Sequence, residues 1–448
     1  MNEQVRTGLG WLGIVRLGLV QAALGSIVVL CTSTMNRVMV VELAMPAMLP
    51  GALVALHYFI QLLRPRLGYS SDVGGRRTPW IVGGMAVLGL AAVTASFAIQ
   101  LMEHQPTLGI ALAVVAFLFI GAGVGTSGTA LLVLMAARVA EHRRAAAATV
   151  TWIMMIFGFI LTSVIVGNAL EPFSTLRLVE VTGGVAIAAT VVTWLAVLGM
   201  EGRHSAGDGD AVPEGRTPFR EALRQVWAEG HSRRLTLFIF VSMVAYSAQD
   251  LILEPFAGLI FGMTPGESTK LSGVQNSGVL LGMLAVAIVC TRSGQSFGSL
   301  RAWTIGGCTA SALSLLTLAV AGFIGIGWPI QASVFVLGLS NGVFAVGAVG
   351  SMMSMVGSGR RSREGVRMGL WGAAQSIAFA IGGLGATLLV DIARFLFDSV
   401  ALSYGLVFVV EGSLFFIASR LAASARVRDE DLADTTVDSS FGAVATGR

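Results

Sequence analysis

The sequence predicts an all-α polytopic membrane protein with twelve transmembrane helices in two halves of six. Three observations carry this prediction. Apolar runs of about 20 residues recur along the chain, and such a run can cross a ~30 Å hydrocarbon layer as a helix. Only 12% of the 448 residues are charged, against 55% that are hydrophobic. The basic residues also fall on alternate connections. These features exclude a chain of two or three soluble domains.

The apolar runs place the twelve spans in order along the chain. Their predicted ranges are 12–35, 44–63, 79–102, 108–137, 146–170, 176–199, 235–261, 269–290, 300–324, 328–356, 367–390 and 399–422. One long polar connection separates the halves, so we predict an N-terminal half at 1–199, a cytoplasmic linker at 200–234, a C-terminal half at 235–422 and a disordered cytoplasmic tail at 423–448. Within the linker, Pro218, Phe219, Leu223 and Trp227 predict a short amphipathic helix on the membrane surface.

The basic residues set the orientation. With both termini in the cytoplasm, all but four of the 29 Lys and Arg residues fall on the cytoplasmic side, the exceptions being Arg37, Arg177, Lys270 and Arg394. This is the asymmetry that the positive-inside rule requires of short loops. The basic residues are scattered among loops rather than gathered on one face, so we expect no nucleic acid partner.

Two pairs of segments repeat between the halves. "RRTPWIVGG" (76–84) opens the third span and "LRAWTIGG" (300–307) opens the ninth. "RVMVVELAMP" (37–46) near the end of the first span resembles "QDLILEPFAG" (249–258) near the end of the seventh. Repeated landmarks in two six-helix halves are typical of transporters built from two related units.

A polar cluster lies between the second and third spans. It comprises Gly68, Asp72, Gly75, Arg76 and Arg77. In spacing and position it resembles the signature loop of the major facilitator superfamily, which implies that fold. The glycines allow a sharp turn, and the carboxylate can meet a helix N-terminus or an arginine and act as a conformational latch. Alternatively, the two arginines only anchor the topology.

Ionisable and amide side chains inside spans are costly and therefore candidate functional residues. They are Asn36, Arg37, Glu42, His57, Gln61, Gln249, Asp250, Glu254, Gln275, Asn276, Asn341, Gln375 and Glu411. Arg37 and Glu42 can pair at the outer interface or extend toward water. Asp250 and Glu254 are one helical turn apart, and we expect Pro255 to break the helix after them. That arrangement suits a proton site, a polar gate or a structural cap.

His57 is the one histidine predicted to lie within a span. With Tyr58 and Gln61 it forms a candidate pigment site, in which a neutral imidazole could ligate the magnesium of a chlorin. It could equally hydrogen-bond within the bundle.

Cys31, Cys290 and Cys308 have apolar surroundings and no metal-ligand spacing, so we interpret them as packing residues. Apart from an axial bond from His57 to a chlorin magnesium, no side chain is predicted to bind a metal.

The segments 36–47, 53–81 and 245–283 resemble the PucC/LhaA family of photosynthetic bacteria. "LVALHYFIQLLRPRLGYSSDVGGRRTPWI" and "AYSAQDLILEPFAGLIFGMTPGESTKLSGVQNSGVLLGM" are long enough to be specific. The resemblance implies a membrane assembly factor that delivers or organises bacteriochlorophyll a for light-harvesting antenna complexes. It further implies the antenna polypeptides and bacteriochlorophyll synthase as partners, and a photosynthetic intracytoplasmic inner membrane as the location.

Members of this family have been labelled a chain of bacteriochlorophyll synthase, and the residues argue against a literal interpretation of that label. Attaching a prenyl diphosphate needs clustered aspartates that hold magnesium, and no Asp-rich repeat lies in or beside a span. We therefore expect the chain not to be an enzyme. The alternative function is a proton-coupled secondary transporter of a small hydrophobic solute.

Overall fold

A computed structural model describes residues 9–62, 76–140, 143–201, 230–292, 297–358 and 364–424. Twelve main helices lie within these residues, which confirms the predicted fold class. They are α1 (Trp11–Glu42), α2 (Met48–Gln61), α3 (Thr78–Met102), α4 (Pro106–Arg138), α5 (Arg144–Ala169), α6 (Thr175–Val197), α7 (Gly230–Phe261), α8 (Pro265–Arg292), α9 (Phe297–Ile324), α10 (Ile330–Ser358), α11 (Glu364–Phe397) and α12 (Val400–Ser424). Eleven of them are long and apolar enough to cross a membrane, and α2 is a shorter apolar helix.

The first span is longer than predicted. α1 continues past residue 35 to Glu42 through two π-helical segments, Leu30–Thr34 and Val38–Glu42. The sequence suggested an earlier end because Asn36 and Arg37 are polar. Both side chains are instead buried against the second half, so the helix can extend into the protein interior. π-helical turns of this kind are frequent at functional sites.

The helices bury two large apolar cores, one in each group of six. The first is built around Leu17, Leu88 and Phe117, and the second around Phe256, Phe344 and Phe408. The main helix pairs that join the groups are α1 with α7, α1 with α8, α2 with α11, and α5 with α8. The linker and tail assigned above lie mostly outside the described residues, so the division into four regions stays a prediction.

Candidate functional site

The repeated segments 37–46 and 249–258 lie against each other where α1 meets α7. Asn36 is fully buried, and its side-chain Nδ2 donates to the carbonyl oxygen of Leu251 at 2.5 Å. Leu251 is four residues before Pro255, and proline has no N–H to donate to that carbonyl. Asn36 thus supplies, from the other half of the protein, the hydrogen bond that the helix lacks.

The predicted break after Asp250 and Glu254 is therefore wrong. α7 runs without interruption from Gly230 to Phe261 with Pro255 inside it. A proline is tolerated in a transmembrane helix when another donor satisfies the freed carbonyl group, and Asn36 provides that donor.

Arg37 connects the two halves one residue further along α1. Its side chain is 2% exposed, forms an ion pair with Glu42, and donates through Nη2 to the carbonyl oxygen of Met263 at 2.6 Å. A side chain at Gly258 would meet the guanidinium at 3.1 Å, so the absence of a Cβ there makes room for Arg37. The arginine pairs as the sequence suggested, but it is buried between the halves rather than extended toward water.

Two further carboxylates tie the halves together at this end of the bundle, which the charge pattern predicts to be the outer end. Asp391 on α11 accepts from the backbone N–H groups of Ala47 at 3.0 Å and Met48 at 2.7 Å, at the start of α2. Glu171, just after α5, accepts from the hydroxyl of Thr264 before α8. A carboxylate at a helix N-terminus is favoured by the orphan N–H groups and the helix dipole. Sequence reasoning missed both residues, because an acidic residue near a loop is common and does not by itself indicate a contact between the halves.

Glu254 is buried and accepts from the hydroxyl of Ser272 on α8 at 2.5 Å. Asp250, one turn earlier, is only half-buried. The two carboxylates therefore have different surroundings despite their helical spacing. The neighbouring Gln249 belongs to a neutral chain of hydrogen bonds, in which Ser311 donates to Asn341 at 2.8 Å and Asn341 donates to Gln249 at 2.8 Å.

Three aromatic rings meet between the halves, and we refer to Tyr58, Phe379 and Tyr246 as the aromatic cluster. The ring centroids of Tyr58 and Phe379 are 5.1 Å apart, and those of Tyr246 and Phe379 are 6.0 Å apart. All three side chains are half-buried. Partly exposed rings inside a two-half bundle offer an apolar surface to a flat, apolar ligand.

His57 lies beside this cluster and contacts the ring of Tyr58 and the side chain of Gln61. Its Nε2 is 2.8 Å from Nε2 of Gln61, and the side chain is only 2% exposed. A side chain at Gly121 on α4 would meet the carbonyl oxygen of His57 at 2.6 Å, so α2 and α4 pack closely here. An axial ligand must direct a free lone pair at the metal. The contact with Gln61 is the one that the hydrogen-bonding alternative requires, and the ligand role of His57 stays a prediction.

The predicted latch residues Gly68, Asp72 and Gly75 lie outside the described residues. Arg76 is exposed, whereas Arg77 is half-buried at the start of α3. There Glu201, which follows α6, accepts from the backbone N–H groups of Arg77 at 2.7 Å and Thr78 at 2.9 Å. A carboxylate therefore does meet this helix N-terminus, but it is Glu201, a residue that sequence reasoning missed.

The matching landmark in the second half makes the corresponding connection. Arg301 near the start of α9 donates through Nε to the carbonyl oxygen of Ala422 at 3.0 Å, near the end of α12. In both halves the repeated segment ties the third helix to the sixth. The described contacts of these landmarks stay within one half.

We expect the Glu201 contact to give a stability that depends on pH. Burial works against the charged carboxylate, but the backbone hydrogen bonds from Thr78 and Arg77 and the Arg77 charge prevail and lower the pKa of Glu201 below its ordinary value of 4.5. Stabilisation is then present above the ordinary pKa and is lost as the pH falls through the lowered one. Glu201→Gln should cost roughly 1 kcal/mol or less at pH 7, because the carboxylate is partly exposed.

Thermal unfolding in detergent at pH 7 and at acidic pH measures this effect. The difference between wild type and Glu201→Gln should shrink as the pH falls. Glu103→Gln, at an exposed position on the opposite side of the bundle, is the matched control. A difference that stays constant with pH would contradict the charged cap.

Within the described residues, no three His, Cys, Asp or Glu side chains are grouped so that they could hold a metal ion. Cys31 and Cys308 are free and buried, which agrees with their interpretation as packing residues.

Comparisons with known proteins identify relatives along nearly the whole chain. A family model described as "PUCC protein" matches residues 34–429, which confirms the resemblance noted from the sequence. "Bacteriochlorophyll synthase 44.5 kDa chain" of Rhodobacter capsulatus is 50% identical over 415 residues, covering 92% of this chain and 95% of that protein. "Protein PucC" of Cereibacter sphaeroides is 28% identical over 420 residues, covering 90% of each chain.

The fold is also that of a solved transporter. The structure of a D-xylose-proton symporter superposes with a TM-score of 0.70 at 13% identity, covering 91% of this chain and 96% of that one. The chain therefore has the major-facilitator fold, as the loop cluster predicted.

One expectation is overturned by these comparisons. The sequence suggested that this chain is not an enzyme, yet a relative with 50% identity is named as a chain of bacteriochlorophyll synthase. That name contradicts the expectation and points to an enzyme-associated role. The missing Asp-rich motif was the basis of the expectation, and it says nothing about a chain that serves an enzyme as one subunit.

Proposed function

Because this chain belongs to the PucC family, we propose that it is a membrane assembly factor that delivers or organises bacteriochlorophyll for light-harvesting antenna complexes, in association with bacteriochlorophyll synthase. In this proposal bacteriochlorophyll is cargo. The protein's partners are the synthase and the antenna polypeptides. The protein would lie in the photosynthetic intracytoplasmic region of the inner membrane, with both termini in the cytoplasm.

The observation that carries the proposal is the aromatic cluster between the halves. Tyr58 and Tyr246 come from opposite halves and both lie beside Phe379. A macrocycle with an apolar, flat face can stack on such rings. At the outer end, Arg37 and Asp391 hold the halves together, so the cluster lies below a closed end of the bundle. A flat apolar cargo would then reach the cluster from the cytoplasmic side or from the membrane.

A second candidate function is favoured by a separate observation. Glu254 and Glu411 are carboxyl groups buried in the second half, with 1% and 2% of their surfaces exposed. Buried carboxyl groups in membrane helices commonly mark proton or ion pathways. They support a proton-coupled secondary transporter of a small hydrophobic solute as the alternative.

The test is purification of the tagged full-length chain in mild detergent from a host that makes bacteriochlorophyll. We expect a bacteriochlorophyll absorption band, together with antenna polypeptides and synthase in the same fraction. The double variant Tyr58→Leu with Phe379→Leu should lower the bound pigment several-fold, because it removes the stacking surface.

The matched control is Phe97→Leu with Phe119→Leu, which removes two rings that are about half exposed on the outside of the bundle. That variant should keep its pigment. Equal pigment in both variants would indicate non-specific partition into the detergent micelle. Substrate-dependent proton movement in vesicles, with no pigment or antenna polypeptide in the fraction, would favour the transporter.

A further inference from the structure

Glu411 interrupts the buried face of α12. That face presents Tyr404, Phe408 and Phe415 to the second core, each with 1% or less of its surface exposed. Glu411 falls in the same row, at a spacing of three and four residues from Phe408 and Phe415, and is 2% exposed. Residues so spaced share one helix face. A carboxyl group therefore stands where the helix pattern calls for an apolar side chain.

Neither carboxyl oxygen of Glu411 has a hydrogen-bond partner within the described part of the chain. Glu254 and Glu42 differ in this respect, since one carboxyl oxygen of Glu254 accepts from Ser272 and Glu42 pairs with Arg37. An ionised carboxylate without a partner is strongly disfavoured in an apolar interior. The surroundings of Glu411 thus suit the neutral acid.

The helices packed against α12 bring few charges toward Glu411. α7 packs against α12 and carries Asp250, whose negative charge would disfavour a second negative charge on Glu411. The described titratable and charged side chains of the packed helices are Arg233, Arg234, Tyr246, Asp250 and Glu254 on α7, Arg301 and Cys308 on α9, and Asp391 and Arg394 on α11. Arg233 and Arg234 lie at the start of α7, far along the helix from Asp250. Arg301 is engaged by the carbonyl groups at the end of α12, and Asp391 by the start of α2. Asp250 is therefore the charged side chain that most affects the ionisation of Glu411. When both are ionised, both carry a negative charge.

We propose that Glu411 and Asp250 form a proton-binding site inside the second half. Two carboxyl groups that interact in an apolar interior hold at most one negative charge between them, so the pair retains a proton. Release breaks one carboxyl O–H bond and transfers the proton to water, leaving one negative charge on the pair, and uptake reverses this step. The proton leaves through Asp250, which is half-buried and lies one helical turn after Tyr246 of the aromatic cluster.

This site deepens the second candidate function, which also draws on Glu411, and it does not depend on whether the chain binds pigment. Its position explains how a proton could influence the space between the halves. Charge on Asp250 lies next to the rings that would hold an apolar ligand, whereas Glu411 stores the proton away from water. The loss of pigment binding would leave the site intact, so the two proposals can fail separately.

Infrared difference spectroscopy of the full-length protein in lipid, recorded as the pH is raised, tests the proposal. Wild type should show a protonated-carboxyl band that loses intensity as the pH rises, because the pair releases one proton and retains the other. Glu411→Gln should lose about one protonated carboxyl group per chain. Asp250→Asn should keep the band but move its loss of intensity to lower pH, because a negative neighbour has been removed. Glu103→Gln, an exposed control, should leave the band unchanged.

A measurement on wild type covers the case in which Glu411→Gln does not accumulate. Labelling with carbon-13 glutamate should shift the band if it belongs to a glutamate side chain. A band that persists in Glu411→Gln, or that ignores the label, would overturn the proposal. So would a band that sodium abolishes at constant pH, since that would identify a metal-cation site.

Discussion

Asn36→Leu is expected to lower the free energy of unfolding by about 1–2 kcal/mol, even though it replaces a polar side chain by an apolar one of similar size. The reason is the carbonyl group of Leu251, which loses its donor within a membrane-embedded helix. A buried carbonyl group left unsatisfied costs about 1–3 kcal/mol. The Oδ1 atom of Asn36 itself has no partner, and its removal offsets part of that cost.

A second substitution should rescue the first. Pro255→Ala restores a backbone N–H that can donate to Leu251 within the helix, so Asn36→Leu should cost less in that background. The coupling energy between the two changes should be about 1 kcal/mol, as expected for residues that share one partner. Reversible unfolding in lipid bicelles measures all four proteins of the cycle.

Asn276→Leu is the matched control. Its side chain donates to the carbonyl oxygen of Ser272 in its own helix at 2.9 Å, and that carbonyl group already has a helical donor. The change should therefore stay within about 0.5 kcal/mol of wild type. If Asn36→Leu costs the same with and without Pro255, the amide is not compensating for the proline.

The compensation of Pro255 by Asn36 also shows the limit of what could be predicted from the sequence. Apolar run lengths and basic residues determine the spans, because the hydrocarbon layer acts on each run separately. They could not predict that α7 continues through Pro255, since the compensating donor is 215 residues away in the sequence. The same long separation explains why α1 was predicted to end too early.

The candidate site was predictable in its residue types but not in its contacts. The pairing of Arg37 with Glu42 is local, and the sequence indicated it. Glu201 and Asp391 were missed because a carboxylate that caps a distant helix has no signature of its own. Glu411 was noted as polar within a span, yet only the packing of α12 against α7 and α9 reveals that it lacks a partner.

The second large effect concerns the contact between α8 and α10. Two glycines on each helix, Gly278 and Gly282 on α8 and Gly338 and Gly342 on α10, let the backbones touch. A Cβ at Gly338 would lie 2.0 Å from the carbonyl oxygen of Gln275, and a Cβ at Gly342 would lie 2.1 Å from that of Val279. Small residues at such spacing are typical of close helix packing in membranes.

Gly338→Ala should therefore destabilise the protein by about 3 kcal/mol, because a backbone atom cannot move aside as a flexible side chain can. The helices must separate, and α8 would then be pushed toward α5, which it contacts on its other side. Gly306→Ala is the control, since a Cβ there meets nothing within 4 Å and alanine favours the helix. Unfolding in bicelles and the yield of monodisperse protein should separate the two variants. Equal stability of Gly338→Ala and Gly306→Ala would mean that α8 and α10 do not touch at these glycines. The contact could then not be what holds α8 against α5 of the first half.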